Sequence, residues 1–196
     1  VTPEQTRHEL VRAAAKVFAR RGYEGATIAE IAAEAGLSSG AIYAHYDGKA
    51  GLFSEVLQAH VHRVLAQRLH DDRPFDIGDF ITEAGADLQR RPVPEGILLV
   101  EAIMAAKHDP KTRRVLSQWF TGQHEFFAAS FAAAQQSGAI TDSFSPMAAA
   151  RFTTTVMLGS LVLSVLDVPR VSQDDWAELI SQLVNGFRTA AEPARH

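Results

Sequence analysis

With 196 residues, 46 % of them apolar, and a net charge of −4, the chain has the composition of one or two soluble globular domains with a helical bias. It holds no cysteine, which excludes disulfide frameworks, thiol nucleophiles and Cys-bound zinc and permits a reducing compartment. The opening VTPEQTRHEL lacks the apolar core of a signal peptide, and the longest apolar run, 156–166, is too short to span a bilayer, so a cytoplasmic protein is expected.

Charge divides unevenly. Residues 1–70 carry 8 Lys/Arg against 7 Asp/Glu and five of the eight histidines, whereas 71–196 carry 11 against 16. The front third is therefore near neutral and the remainder acidic, a balance that decides nothing about a nucleic-acid partner.

Helix signals run the whole length, and alternating strand patterns are nearly absent. Thr2-Pro3-Glu4-Gln5 opens a first helix, with Thr2 as cap, Pro3 at the first helical position and Gln5 completing a capping box. Leu10, Ala14, Val17 and Phe18 form its apolar face, and Gly22 after Arg20-Arg21 marks its stop. Thr27 with Glu30 is a second capping box over a short helix to about Ala35, ended by Gly36. Ser38 caps a third helix reaching about His45, and Asp47 or Gly48 opens a long fourth. Beyond Asp71-Asp72-Arg73-Pro74, helices are predicted at about 77–90, 95–107, 110–136, 146–166 and 173–190. His108-Asp109, ahead of Pro110, reads as a cap. The fold class is all-α: three short helices in residues 1–47, a connecting helix over 48–70, and a helical bundle over 71–196.

Residues 27–45 are two short helices joined by a tight turn. Ala32 is small where two helices cross, Gly36 can take the left-handed conformation that reverses the chain, and Ile42 points back between them. Ala–Gly–Ile at relative positions 5, 9 and 15 is the spacing of a helix-turn-helix. By itself the spacing fits an ordinary helical hairpin as well as a DNA reader.

The surrounding residues are more specific. FARRGYEGATIAEIAAEAGLSSGAIYAHYDGKAGLFSEVL, residues 18–57, resembles the DNA-binding domain of the TetR family of bacterial transcriptional regulators nearly end to end. The landmarks are Phe18, Gly22, Tyr23, Thr27, Ile31, Ala32, Ala35, Gly36, Tyr43, Tyr46, Lys49 and Leu52-Phe53. EAIMAAKHDPKTRRVL, residues 101–116, is similar to a pattern frequent in the family's C-terminal domains. The resemblance implies an N-terminal helix-turn-helix DNA-binding domain joined by a long helix to a C-terminal ligand-binding and dimerisation bundle. It places the third helix in the major groove, with Ser39, Gly40, Ala41 and Ala44 facing base edges. Thr27 and Ser38 cap helix ends that suit a phosphate. Tyr43 and His45 match phosphate and base contacts, Lys49 a phosphate contact, and Tyr46 a core ring whose hydroxyl reaches toward phosphate. Packing accounts for Tyr43, and capping for Thr27 and Ser38, as competing explanations. Many relatives carry Lys or Gln where Ser39 stands and a larger residue at Ala44. Small side chains here allow few bidentate base contacts, so sequence preference is expected to lean on DNA shape.

The same resemblance implies a homodimer on a palindromic operator, released by a small effector. Val156, Leu158, Leu161, Val162 and Val165, with Trp176 and Leu183, are the candidate dimer contacts, since this stretch is apolar over more than one core stripe. Met104, Trp119, Phe120, Gln123, Phe126, Phe127 and Phe152 are candidates for an effector pocket, with Phe131, Met157, His124 and Thr153 beside them. Ordinary core packing competes with both assignments. No cofactor, metal or membrane is expected. The chain has no G-x-S-x-G, phosphate loop or H-E-x-x-H, and His60 and His62, two apart on a helix, cannot chelate one ion. An enzyme and a protein-binding helical adaptor are the readings from other classes; specific, salt-sensitive binding to duplex DNA separates both from a regulator.

Overall fold

A computed structural model describes residues 3–68, 94–166, 168–169 and 171–187. The described residues form eight helices and no extended sheet. These are α1 (Pro3–Gly25), α2 (Ile28–Ala35), α3 (Ser39–Tyr43), α4 (Gly48–Arg68), α5 (Pro94–Ala105), α6 (Pro110–Gln136), α7 (Pro146–Val165) and α8 (Gln173–Phe187). The all-α reading holds. The helix expected over 77–90, the capping by Thr2 and the tail of the last helix beyond Phe187 lie outside the described residues.

Gly22 breaks α1 as its position implied: φ 73° and ψ 174° are not helical, and only three residues follow before the helix ends. Asp109 caps α6, its carboxylate accepting from the Lys111 backbone nitrogen at 2.9 Å. Gly138, at φ 75°, ends α6, and the Ala139 nitrogen turns back to the Ala134 carbonyl at 3.0 Å.

The chain packs as two compact units. The first holds α1 to α4, α5 and the start of α6 as far as Phe120; the second holds the rest of α6, α7 and α8. By packing, therefore, residues 94–120 side with the head, although a division by role places everything after residue 70 in the second domain. Leu98, Ala102, Ala105 and Leu116 lie in one apolar cluster with Leu10, Val17, Phe18, Ile31, Ile42, Leu52 and Phe53. At its centre three rings meet: Phe53 stands edge-on to Phe18 (5.2 Å) and to Tyr23 (4.9 Å).

Two polar ties join α5 and α6 to α1 through this core. A Glu101 carboxylate oxygen accepts from the Tyr23 backbone nitrogen at 2.6 Å. The Tyr23 hydroxyl hydrogen-bonds the Thr112 hydroxyl at 2.8 Å, and Thr112 in turn donates to Asp109 at 2.5 Å. Burial raises the Tyr23 pKa, so the phenol stays protonated and able to donate. In the second unit, the Gln135 amide donates to the carbonyls of Thr141 (3.1 Å) and Phe144 (2.9 Å), bracing the loop before α7.

Candidate nucleic-acid interface

The geometry of the reading element follows from its caps. The Thr27 hydroxyl accepts from the Glu30 nitrogen at 3.2 Å while the Glu30 carboxylate accepts from the Thr27 nitrogen at 3.2 Å, a reciprocal capping box. The hydroxyl also donates to that carboxylate at 3.1 Å, which holds Glu30 below the usual carboxylate range. Thr27 therefore spends both of its hydrogen-bonding roles on α2. Gly36 sits in the left-handed region (φ 68°, ψ 28°), and the Leu37 nitrogen returns to the Ala32 carbonyl at 2.9 Å. Ala32 and Ile42 are buried at this turn, so the Ala–Gly–Ile spacing has the roles assigned to it.

The third helix is shorter than expected. Ser38 caps it, accepting from the Ala41 nitrogen at 3.2 Å, but it ends at Tyr43 rather than His45. The nitrogens of His45 and Tyr46 both donate to the Ile42 carbonyl, at 3.0 and 2.9 Å. The chain must reverse within four residues to start α4 at Gly48 (φ 70°), and this leaves no room for another helical turn. Ala44 and His45 thus stand exposed on the turn that leaves α3. Gly40 is exposed, Ser39 and Ala41 are half-buried, and Tyr43 is 60 % exposed. The outward surface is small side chains with one large phenol at its end.

Two candidate contacts, Tyr46 and Lys49, are held within the first unit. Tyr46 is packed against the core, as its ring was expected to be, but its hydroxyl is enclosed and has no hydrogen-bond partner. It lies beside the exposed Arg7–Glu55 pair, and burial raises its pKa. The hydroxyl does not reach the outer face. The Lys49 ammonium donates to the Glu24 carbonyl at 3.1 Å and lies 4.8 Å above the Tyr23 ring. Burial holds its pKa below the ordinary lysine value. Lys49 caps the end of α1, with two N–H groups remaining for a phosphate.

The sequence reading missed a neighbour of this face. Lys111, from the first turn of α6, pairs with Asp47 at 2.5 Å. Its ammonium lies 3.3 Å from the place a β-carbon on Gly48 would take, a point 3.8 Å from the Tyr43 ring. The resemblance of residues 101–116 was the available signal, but nothing in it says that these residues return to the head.

The effector candidates divide between the units. Met104, Trp119 and Phe120 belong to the first, and Gln123, Phe126, Phe127 and Phe152 to the second. Met104, Phe126 and Phe152 are exposed, Phe127 is buried, and Trp119 packs against the head's core with its indole nitrogen enclosed. Thr153 is buried and donates its hydroxyl to the Ala149 carbonyl at 3.0 Å, leaving only its acceptor capacity. Among the dimer candidates, Val162, Val165 and Leu183 are exposed, while Val156, Leu158, Leu161 and Trp176 are half-buried. Leu163, Leu166 and Leu179 join the exposed set. Leu179 and Leu183 are four apart on α8, a pairing the heptad spacing could have shown.

The stretch 156–166 is part of a longer apolar helix. The window Pro146–Leu163 reaches a mean hydropathy of 1.2, long and apolar enough to cross a bilayer by length and composition alone. Counting only the unbroken run overlooked Ala148, Ala149 and Ala150. One such helix is weak grounds for a membrane protein, and Arg151 and three threonines lie inside it. Among the described residues no group of His, Asp and Glu is placed to hold a metal.

Residues 10–56 match the bacterial regulatory proteins of the tetR family. The chain is 32 % identical over 125 residues to the HTH-type transcriptional repressor BdcR of Escherichia coli (strain K12), a match covering 60 % of this chain and 59 % of that one. Less than two thirds of BdcR is thus spanned. It is 35 % identical over 111 residues to the uncharacterized HTH-type transcriptional regulator TtgW of Pseudomonas putida, over 57 % of this chain and 69 % of that one. The fold matches that of the transcriptional regulator FadR from Bacillus subtilis, solved in complex with stearoyl-CoA, at a TM-score of 0.65 and 15 % identity, covering 92 % and 99 % of the two chains. With its capped helix-turn-helix and this likeness together, the chain belongs to the TetR family of bacterial regulatory proteins.

Proposed function

We propose that this regulator is a homodimeric repressor that binds a palindromic operator in the cytoplasm and is released by a small, moderately hydrophobic effector. The observation that carries the reading is the unpartnered apolar surface of the second unit. Val162, Leu163, Val165, Leu166, Leu179 and Leu183 are each more than two-fifths exposed. Scattered exposed leucines need no explanation, but six over the ends of two neighbouring elements in sequence fit an interface. A second copy offering the same surface would remove both from water. Two reading helices in one particle then favour two half-sites about one DNA turn apart.

On the DNA, Ser39, Gly40, Ala41, Ala44 and His45 face the bases, and Tyr43, Ser38 and Lys49 hold phosphates. Gln123, Phe126, Phe127 and Phe152, all in the second unit, are the candidates for an effector site. A fold relative that carries stearoyl-CoA is consistent with an apolar ligand, and BdcR is named a repressor. Effector binding would act as a population shift, favouring a state in which the two heads no longer fit both half-sites.

Selection of bound duplexes from random DNA, followed by anisotropy at two salt concentrations and light scattering, tests the whole reading. A dimer that recovers a palindrome is the expected result. Leu179→Glu with Leu183→Glu should give a monomer with at least about a hundredfold weaker palindrome binding, on the order of 3 kcal/mol. A double variant that stays dimeric would place the interface elsewhere.

A further inference from the structure

We propose that the turn between α5 and α6, residues 107–114, is a second DNA-backbone contact outside the helix-turn-helix, made by Lys111 and Arg114; it rests on the DNA-facing assignment of Tyr43 above. The sequence of the turn is KHDPKTRR, four fixed positive charges against one carboxylate. It carries four of the 11 Lys/Arg in an otherwise acidic stretch, 71–196.

The one carboxylate is exposed but engaged in the helix cap. Asp109 accepts from Thr112 at 2.5 Å and from the Lys111 nitrogen at 2.9 Å, and these bonds hold it ionised within the helix cap. Arg113 is also engaged, donating to the carbonyls of Ala106 and Lys107 at 3.1 Å each and closing the end of α5. Lys107, Lys111 and Arg114 remain exposed, so the outward charge of the turn is positive.

Position makes this charge relevant to DNA. Thr112, Leu116 and Trp119 form the inward stripe of the α6 start, against the core of the head. Lys111 and Arg114, three apart, share the face turned away from that stripe. The Lys111 ammonium stands beside Gly48 and the Tyr43 ring, and the bare Gly48 backbone gives it that access. Its pairing with Asp47 is an exposed ion pair, of the kind that adds little to stability. Its consequence at a phosphate surface is larger. Unpaired, Asp47 would repel the backbone that Tyr43 approaches; paired, it holds an ammonium at that spot.

The test uses the full chain and two fluorescent duplexes, one recovered by selection from random DNA and one of random sequence, titrated over a salt series. Removing one phosphate contact should reduce the slope of log Kobs against log salt by about 0.9 per subunit. Arg114→Gln leaves the Lys111–Asp47 pair intact and should flatten the slope by that amount on both duplexes. Lys111→Gln combined with Asp47→Asn removes the ammonium without exposing a lone carboxylate, and should do the same. Wild-type slopes in both variants would overturn the proposal. Wild-type behaviour of the double variant beside a weakened Lys111→Gln would overturn the Lys111 contact and leave it a mask for Asp47. Failure of the unmodified protein to bind any duplex would instead sink the DNA-facing assignment. Thermal unfolding of each variant excludes loss of fold, and Arg114→Gln touches no packed group.

Discussion

The Glu101 carboxylate and Gly22 occupy the same space: its Oε2, 2.6 Å from the Tyr23 nitrogen, lies 2.7 Å from where a Gly22 β-carbon would stand. The left-handed φ of 73° at Gly22 turns that nitrogen out of the α1 ladder, and a charged acceptor from α5 receives it. Gly22→Ala meets both the strained φ and the carboxylate, and should cost at least about 1 kcal/mol. Glu101→Ala should cost about 1.5–3 kcal/mol, the range for a hydrogen bond to a charged group. Urea unfolding of the double variant should show less than the sum, because removing the carboxylate opens the space the new methyl needs. Strict additivity would mean that the two do not share it.

Tyr23 and Thr112 form the second tie. Tyr23→Phe removes one bond from a Thr112 hydroxyl that still donates to Asp109 and should cost about 1 kcal/mol, whereas Thr112→Val leaves the Tyr23 hydroxyl unsatisfied and should cost more, about 1–3 kcal/mol. The paired replacement should be milder than Thr112→Val alone, since no buried hydroxyl is then left without a partner. Denaturant midpoints of the three variants decide it.

Lys49 has two separable roles. Lys49→Ala removes the donor to the Glu24 carbonyl and the charge over Tyr23, so it should lower stability by about 1 kcal/mol. If the remaining N–H groups also hold a phosphate, the salt slope should fall by about 0.9 per subunit on every duplex. A fall in melting temperature with an unchanged slope would assign Lys49 to the end of α1 alone.

Acid stability should depend on Asp109. The Thr112 hydroxyl, then the Lys111 nitrogen, hold its carboxyl below the usual range. A carboxyl depressed in the fold contributes stability that is complete above its unfolded value, about 3.9, and is lost as pH falls through the lower folded value. Asp109→Asn should therefore melt lower than the parent at neutral pH and lose less on acidification below about pH 4. Parallel melting curves from pH 7 to 2 would contradict this.

Local signals carried the head. Caps at Thr27 and Ser38, the Gly36 turn and the Ile42 knob each act over a few residues, and each stands where spacing put it. The length of α3 was harder to read, because Ala44 and His45 have nothing against helix; the need to restart at Gly48 ends it. Long-range ties were not legible. Glu101 and Thr112 look like solvent-facing helix residues in sequence, and only folding sets them 78 and 89 positions back against Tyr23. The inward engagement of Lys49 was not legible either: its charge suggests an outward group, while a nearby carbonyl and ring also hold it. Exposed leucines on α7 and α8 were half legible, since apolar excess signals burial without saying in which molecule.

The core that Leu98, Ala102, Ala105 and Leu116 share with α1 to α4 limits how this protein can be rebuilt. Grafting its first 70 residues onto another regulator would leave Leu10, Phe18 and Phe53 short of their partners and Tyr23 without Glu101 or Thr112. A transplant of this unit has to carry residues 94–120 as well, or be limited to Ser39, Gly40, Ala41, Ala44 and His45, the positions proposed to face the bases. In this chain the interchangeable part is a handful of side chains, not a cassette.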